Sequence, residues 1–420
     1  MILHVTSYFM SSLAAKKTIN ILLYYQCFLA FIAVAILFTE ADNYLYDLGT
    51  GPSASLTIVL FGLAAIPLIP NFLNKNIKYV PFAIFKFYVA FLFVSFISYQ
   101  LMIKNENITD DFNERILATI SMMVLLLILS GEEIIQKTVR WGLFLATFWN
   151  IYTYIRELIT PEAWITLTTS NPTGRPAGLY VDPNQAGCAL IFGMIFSIYL
   201  IPKNTRLGFF LIVFLSVFMT FSRGAIICML ILLPLGFVKK TFPSTQIKYI
   251  LIAVMLLIVT WGGVGEFLID EATNYGIINT DIETRINTFT NPKSRESSDD
   301  TSRVDIIGFS LERFMESPIF GNGTGYTQIW SGIIRPHNTY LLYMVEHGFL
   351  GLFVLPCLIF ILIKDAKDPE VKTMGLYFAI LTSIWGLFSH TLLEERGTLL
   401  TFALMAIMSK RSYLMKKNLV

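Results

Sequence analysis

The residues with the clearest chemical potential lie in RPHNTYLLYMVEHGFLG, residues 335–351. A polar loop end changes into an apolar helix there, and His337 stands at the change. A histidine in this position is either a chemical group held at a membrane surface or a polar residue where a helix leaves the lipid. We interpret the other histidines, His4, His347 and His390, as structural residues.

Other familiar chemistries lack their sequence patterns. The histidines, cysteines and acids do not recur at metal-ligand spacing, so no metal site is predicted. No nucleophile elbow is present. The four cysteines, Cys27, Cys188, Cys228 and Cys357, lie within apolar runs rather than external loops, which predicts no disulfide framework.

The composition places these residues in a membrane protein. Of 420 residues, 55% are hydrophobic and only 14% are charged, more apolar surface than a soluble domain can bury. Runs of about 20 apolar residues recur, long enough to cross a hydrocarbon core. The predicted fold is therefore all-α and polytopic, a single membrane domain over residues 1–420, since a lipid-exposed backbone must satisfy its own hydrogen bonds.

We predict about twelve membrane spans, the first of them retained rather than cleaved as a signal peptide. The segment TFSRG, residues 220–224, is either a tight turn between two spans or a break in one bent span. The predicted spans lie near residues 19–38, 54–70, 79–102, 116–131, 139–158, 184–201, 207–221, 224–238, 247–264, 338–363, 373–393 and 398–410.

The charges orient these spans. With a cytoplasmic N-terminus, about 18 of the 31 basic residues fall in cytoplasmic loops, as the positive-inside rule requires. Both termini are then cytoplasmic. The basic residues also differ in kind, with about 15 Lys and 3 Arg inside but about 2 Lys and 10 Arg outside. Arginine binds phosphate or carboxylate through a rigid fork, so this split predicts anion recognition at the external face.

Two external segments are predicted to carry function, residues 159–183 and the longer 265–337. The first ends at Asp182-Pro183, a residue pair typical of a helix start. The second contains a predicted surface helix over 303–316, with Ser302 as the cap of a capping box. The run GNGTG, residues 321–325, ends that helix and is interpreted as a plain turn.

A few charged residues are given structural roles. Glu346 lies inside a predicted span and points away from His337, so we expect it to pack or to pair with another residue. The triplet Glu394-Glu395-Arg396 is interpreted as a solvated external turn.

Four segments together resemble the O-antigen ligase family, which includes O-antigen and exopolysaccharide polymerases and protein O-oligosaccharyltransferases. Their order along the chain and their shared external position carry the resemblance, which covers about residues 170–351. The segments are GRPAGLYVDPNQAG, TFSRGA, TSRVDIIGFSLERFMESPIFGNGTG and the His-Asn-x9-Gly-x-x-Gly pattern within RPHNTYLLYMVEHGFLG.

The resemblance implies a metal-independent glycosyltransferase without a cofactor, acting at the periplasmic face of the bacterial inner membrane. Its donor would be undecaprenyl-diphosphate-linked glycan, and its acceptor lipid A–core or a growing glycan. Guanidinium groups can stabilise a diphosphate leaving group, and Arg223 and Arg303 are the first candidates, followed by Arg175 and Arg335.

On the acceptor side, the resemblance gives His337 the role of orienting or deprotonating a hydroxyl, since an unperturbed imidazole titrates near pH 6.5. Asn338 would bind substrate or cap the helix. Gly348 and Gly351 share a helix face with His337 and would let another helix approach. No nucleic-acid partner is predicted; the remaining partners are membrane lipids.

Several functions stay open. A ligase is favoured, and a polymerase that extends the lipid-linked glycan is the close alternative. A protein O-oligosaccharyltransferase is less favoured because many carry an additional C-terminal domain. A lipid-linked glycan transporter would need polar residues along several spans, and few are present.

Overall fold

The computed structural model describes residues 21–100, 102, 104–160, 175–180, 182–248, 299–330 and 335–418. These residues form helices and connecting turns, with no strand among them. The longer helices are α1 (Ile21–Ala33, continuing to Phe38), α2 (Ala41–Asp47), α3 (Ala54–Ala65), α4 (Phe82–Gln100), α5 (Glu106–Leu129), α6 (Glu133–Ile159), α7 (Pro183–Ser197), α8 (Arg206–Met219), α9 (Arg223–Val238), α10 (Asp299–Glu316), α11 (Thr339–His347), α12 (Val354–Ile363), α13 (Pro369–Trp385) and α14 (Arg396–Asn418).

The apolar helices agree with a polytopic membrane protein. Within the described residues, six helical stretches are long and apolar enough to cross a membrane. Eleven of the twelve predicted spans coincide with helices, while span 247–264 lies almost wholly outside the described residues. The six stretches are Ile21–Phe38, Ala54–Tyr79, Phe82–Gln100, Glu106–Leu129, Pro183–Leu200 and Thr339–Ile363.

Several predicted span boundaries differ from the helix ends by eight residues or more, and two of them have a clear local cause. The span predicted at 116–131 begins at Glu106, where the Asn105 side chain accepts a hydrogen bond from the Ile108 amide. Its first turns are polar because Asp111 and Arg115 bind partners on other segments. The span predicted at 373–393 ends at Trp385, whose carbonyl accepts bonds from the Phe388 and Ser389 amides.

The segment TFSRG is a tight turn between two helices. Helix α8 ends at Met219 and α9 begins at Arg223. Phe221 takes a left-handed conformation with φ of 51°, and the Ser222 side chain caps α9 by accepting from the Ala225 amide. The chain therefore reverses direction at this turn, and α8 and α9 are two separate helices, not one bent span.

The helix that starts after His337 is interrupted, which corrects the predicted role of its glycines. Helix α11 ends at His347, and Gly348 has a left-handed φ of 68°. A side chain on Gly348 would collide with the Pro318 and Ile319 carbonyls, and one on Gly351 with the Tyr343 carbonyl. The glycines therefore allow close backbone contact with the turn after α10 and with α11 itself, not the approach of another membrane helix.

The GNGTG segment is a turn, as predicted, and it closes the end of α11. The Asn322 amide donates to the Val345 carbonyl at 2.9 Å and the Gly323 amide to the Glu346 carbonyl at 3.0 Å. The Asn322 side chain also bridges the Arg313 and Val345 carbonyls at 2.9 and 3.1 Å. The last carbonyls of α11, which lack partners within their helix, are thereby satisfied.

The predicted surface helix exists but begins earlier than expected. Helix α10 starts at Asp299, so Ser302 lies inside it and is not its cap. The local pattern Ser-x-x-Asp is compatible with a cap, but Asp299 and Asp300 continue the helix toward the N-terminus. Ser310 is buried, and Phe309 packs edge-on against Trp330 with ring centroids 4.8 Å apart.

The helices bring the predicted loop sets together at two opposite ends of the bundle. At the lysine-rich end, Arg411 donates to the Gly131 carbonyl at 2.8 Å, and Gln246 donates to the Asn204 carbonyl at 2.8 Å. At the other end, which we call the arginine end, Arg175, Arg223, Arg335 and Arg396 lie near helix starts or in turns. The division of charges along the sequence thus corresponds to a division in space.

Candidate active site at the arginine end

Several helices begin at the arginine end with side-chain caps. Asp182 caps α7 by accepting from the Asn184 amide at 2.9 Å, and Pro183 occupies the first helical position, as predicted. Asn338 caps α11 by accepting from the Tyr340 and Leu341 amides at 2.9 and 3.1 Å. With α9 starting at Arg223, the positive ends of these helix dipoles share one side of the bundle, which favours anions there.

Arg175 connects two segments at the arginine end. It is buried, and its Nε and Nη2 donate to the Thr220 carbonyl at 3.0 and 2.8 Å. Nη2 also donates to Asn184 Oδ1 at 3.1 Å. The guanidinium therefore joins the start of α7 to the turn that presents Arg223.

Arg223 is half-buried at the first position of α9. The next residue, Gly224, packs so closely on the Phe388 ring that a side chain there would collide with it. Any larger residue would require the Phe388 ring to move, and the contact joins the start of α9 to the segment after α13.

The same segment holds the start of α11. The Thr339 amide donates to the Gly386 carbonyl at 2.8 Å, and the Thr339 hydroxyl donates to the Ser389 carbonyl at 2.6 Å. His337 is exposed, and its ring centroid lies 5.0 Å from that of His390. Residues 386–390 thus connect the Arg223 turn with the His337 turn, although the two are more than a hundred positions apart in the sequence.

Arg335 is mostly buried and forms an ion pair with Asp111, whose carboxylate it contacts at 2.6 Å. Gln328 also donates to Asp111, at 3.3 Å. The pair anchors the chain two residues before His337 to helix α5. The Arg335 guanidinium therefore binds the Asp111 carboxylate in this structure. Its role as a diphosphate ligand stays a prediction.

Arg303 lies in the first half of α10, among residues whose side chains fall outside the described part of the chain. Its backbone is helical, as predicted. Its role as a diphosphate ligand stays a prediction.

Glu394 differs from the solvated residue that was expected. Both of its carboxylate oxygens are buried and have no hydrogen-bond partner within the described residues. Burial raises the pKa of the Glu394 carboxyl, and the nearby Arg335 guanidinium opposes that rise. Arg396 is buried as well and forms an ion pair with Asp42 at the end of the first span. The interpretation of residues 394–396 as a solvated turn is wrong, because the Glu394 carboxylate oxygens and the Arg396 side chain are buried.

His390 shares this environment. Burial lowers the pKa of His390 to about 3, and the nearby Arg335 and His337 act in the same direction. A neutral imidazole is therefore next to His337.

Three carboxylates approach one another beside these residues. One oxygen each from Asp111, Glu114 and Glu394 lies within 4.8 Å of the others, a grouping that could hold a metal ion. Asp111 already binds Arg115 and Arg335, so guanidinium groups supply part of the compensating charge. The spacing in the sequence gave no sign of this cluster, because its members come from α5 and from the turn before α14.

Beneath the site, Arg115 is fully buried and binds a set of polar partners. It pairs with Glu346 and with Asp111, the latter at 2.9 Å, and its Nη1 lies 3.0 Å from His347 Nε2. The Gly325 amide donates to Glu346 Oε1 at 3.0 Å. Glu346 was expected to pack or pair structurally, and this expectation is confirmed.

Removing Glu346 is expected to destabilise the protein strongly. The variant Glu346→Ala removes one of the two carboxylates that the buried Arg115 contacts, and breaking a buried ion pair typically costs about 3–5 kcal/mol. The thermal midpoint of unfolding in detergent should fall clearly. The matched control is Glu316→Ala, which breaks the exposed pair with Arg313 and should change stability by less than about 1 kcal/mol. Equal shifts for the two variants would contradict a structural role for the buried pair.

Comparison with known families bears on the segment from α8 to α12. Residues 207–355 match the family model described as O-antigen ligase. The match supports an O-antigen ligase or polymerase assignment for residues 207–355, and we call them the O-antigen ligase segment because of this similarity. The O-antigen ligase segment contains Arg223, Arg303, Arg335, His337 and Asn338, whereas Arg175 precedes it. No curated protein matches the chain.

The O-antigen ligase segment does not stand alone in the structure. Its turns are held by residues before and after it, including Asp111 for Arg335 and the 386–390 segment for Thr339. Sequence reasoning did not single out Asp111, and it interpreted Glu394 as a solvated residue and His390 as a structural one. Four acids in the first turns of a long apolar helix were the available signal for Asp111, but a partner more than 200 residues away could not be deduced.

Proposed function

We propose that this protein is an O-antigen ligase-like glycosyltransferase. It transfers glycan from undecaprenyl diphosphate to an acceptor hydroxyl, with lipid A–core as the favoured acceptor. The observation that carries the proposal is the family match over residues 207–355, which include Arg223, Arg303, Arg335 and His337. In a membrane with the lysine-rich end in the cytoplasm, this site faces the periplasm, and both termini are cytoplasmic.

On the donor side, the bond between the anomeric carbon and the diphosphate oxygen breaks, and negative charge develops on the diphosphate. Arg223 and Arg303 are the proposed ligands for that charge. Arg223 is the first residue of α9, so its guanidinium and the helix dipole act on an anion together. Preorganised guanidinium groups can stabilise this leaving group without a metal ion.

On the acceptor side, the hydroxyl oxygen forms the new bond to the anomeric carbon and loses its proton. His337 is exposed, and we assign it to position that hydroxyl or to take the proton. Asn338 supports this role through the helix cap, since its side-chain oxygen accepts from two amides of α11. Its direct contact with substrate belongs to the same proposal.

Arg175 and Arg335 contribute through the framework in this proposal. Arg175 holds the turn before Arg223 through the Thr220 carbonyl. Arg335 holds the residues before His337 through Asp111. Each could also contact the diphosphate once the donor is bound.

The alternative is a polymerase that uses the same donor and extends the lipid-linked glycan. The family includes both ligases and polymerases, and the acceptor distinguishes the two activities. Deletion of the gene, followed by extraction of surface glycan and of lipid-linked glycan from the same culture, distinguishes the two. Long glycan accumulating on the lipid carrier supports the ligase, and single repeat units on the carrier support the polymerase. If both glycan pools remain unchanged, the proposed function is wrong.

A further inference from the structure

A cavity of about 630 Å³ opens at the lysine-rich end, far from the arginine end in the helix bundle. Its walls come from the start of α6, the start of α13 and the end of α14. Volumes of roughly 300–1,000 Å³ are typical of small-molecule sites. The cavity has no part in the chemistry proposed above.

The wall charges favour an anion. Five basic residues line the cavity against three acids, which are Glu133, Asp368 and Glu370. Two of the acids are engaged within the protein: Glu133 pairs with Lys137 at 2.9 Å, and Asp368 caps α13 through the amides of Glu370 and Val371. The basic residues are Lys137, Arg140, Lys367, Arg411 and Lys416.

Two arginines retain donors that the protein does not use. Arg140 Nε donates to the Phe196 carbonyl at 2.7 Å, and Arg411 Nη1 donates to the Gly131 carbonyl at 2.8 Å. These bonds fix both guanidinium groups in the cavity wall. Yet Arg140 Nη2 and Arg411 Nε are buried without a hydrogen-bond partner in the described part of the chain. A buried donor without a partner is costly, so an acceptor-rich ligand in the cavity would stabilise both groups.

The rest of the wall is apolar, formed by Val371, Met374, Met408 and Met415. Methionine side chains adapt to flexible apolar ligands. A ligand that satisfies both parts of the wall carries a phosphate at one end and hydrocarbon at the other. Basic pockets between membrane helices on the cytoplasmic side bind such headgroups.

We propose that this cavity binds a phosphate-bearing anion. Its occupant is an anionic phospholipid from the membrane leaflet at the lysine-rich end of the protein. The phosphate lies among the five basic side chains, and the upper part of an acyl chain contacts the methionines. Because the cavity is at the opposite end from His337, the bound lipid stabilises the bundle and does not take part in glycan transfer. The proposal is independent of the proposed function.

The test is native mass spectrometry of the purified full-length protein in detergent with phosphatidylglycerol or phosphatidylcholine added. We expect about one phosphatidylglycerol to be retained and no phosphatidylcholine. The triple variant Lys137→Gln, Lys367→Gln and Lys416→Gln should weaken phosphatidylglycerol binding by at least about tenfold, since each lysine near an anionic headgroup contributes about 1 kcal/mol. The matched control replaces three exposed lysines outside the cavity, Lys75→Gln, Lys203→Gln and Lys239→Gln, and should bind as the wild type does.

A second variant tests the cavity itself. Val371→Trp fills the space and leaves every charge in place, so it should also remove the retained lipid. Displacement of the retained phosphatidylglycerol by millimolar glycerol 3-phosphate would identify a soluble phosphate compound as the occupant. If the lipid is not displaced, the occupant is the phospholipid. Equal retention of the two phospholipids, equal binding by the two triple variants, or undiminished binding by Val371→Trp would each overturn the proposal.

Discussion

Replacing His337 by alanine is expected to lower glycan transfer by roughly 10²- to 10⁴-fold, the range for loss of a positioned acid–base group. The side chain is exposed at the start of α11, so its removal creates no buried cavity. Expression and the thermal midpoint should stay at wild-type values. The measurement is transfer of glycan from purified lipid-linked donor to acceptor, with the amount of folded enzyme normalised.

The matched control for His337 is its neighbour. His390→Gln replaces a ring whose centroid is 5.0 Å away and whose burial keeps it neutral. We expect a much smaller loss of transfer for this variant. Full activity of His337→Ala, or a larger loss for His390→Gln, would remove His337 from the acceptor role.

Replacing Arg223 by glutamine is expected to lower the transfer rate by roughly 10²- to 10³-fold, as for loss of one preorganised electrostatic group. Arg223→Lys should recover only part of the rate, since an ammonium keeps the charge and loses the bidentate fork. The readout is the rate with saturating acceptor, measured over a range of donor concentrations. A ligand for the leaving diphosphate should affect the maximal rate as well as donor binding.

The chain supplies a close control for this arginine. Arg206 is the first residue of α8, just as Arg223 is the first residue of α9, but it lies at the lysine-rich end. It packs over the Tyr199 ring at 4.5 Å and donates to the Ile201 carbonyl at 3.2 Å. Arg206→Gln should retain transfer. If both variants lose activity equally, the loss comes from removing an arginine at a helix start and not from removing a ligand of the diphosphate.

The sequence predicted the helices well because lipid imposes a simple rule of length and polarity. It also predicted the Asp182 cap, which depends on neighbouring residues, and it gave the tight turn at residues 220–224 as one of two alternatives. The prediction failed where a residue far away in the sequence determines the local structure. Glu106 begins α5, not a residue near 116, because Asp111 and Arg115 are paired across the fold.

The candidate site shows the same division. The residue types at Arg223 and His337 and their external position could be predicted from charge placement and from the family resemblance. Their connection through residues 386–390 could not, because those residues have no motif and act through main-chain carbonyls. Likewise, Glu394 looked like part of a charged turn, and only the fold buries its carboxylate.

The Arg115–Glu346 pair also constrains how the chain can be made. Its two members are 231 residues apart in the sequence, and at about 5–20 residues per second that separation corresponds to roughly 10–50 s of synthesis. During this interval Arg115 has carboxylates available on its own helix, among them Asp111, but it lacks Glu346. Until α11 is made, Arg115 lacks the glutamate that pairs with it in the folded protein. The buried network can therefore form only late in synthesis, after the segment with Glu346 has emerged.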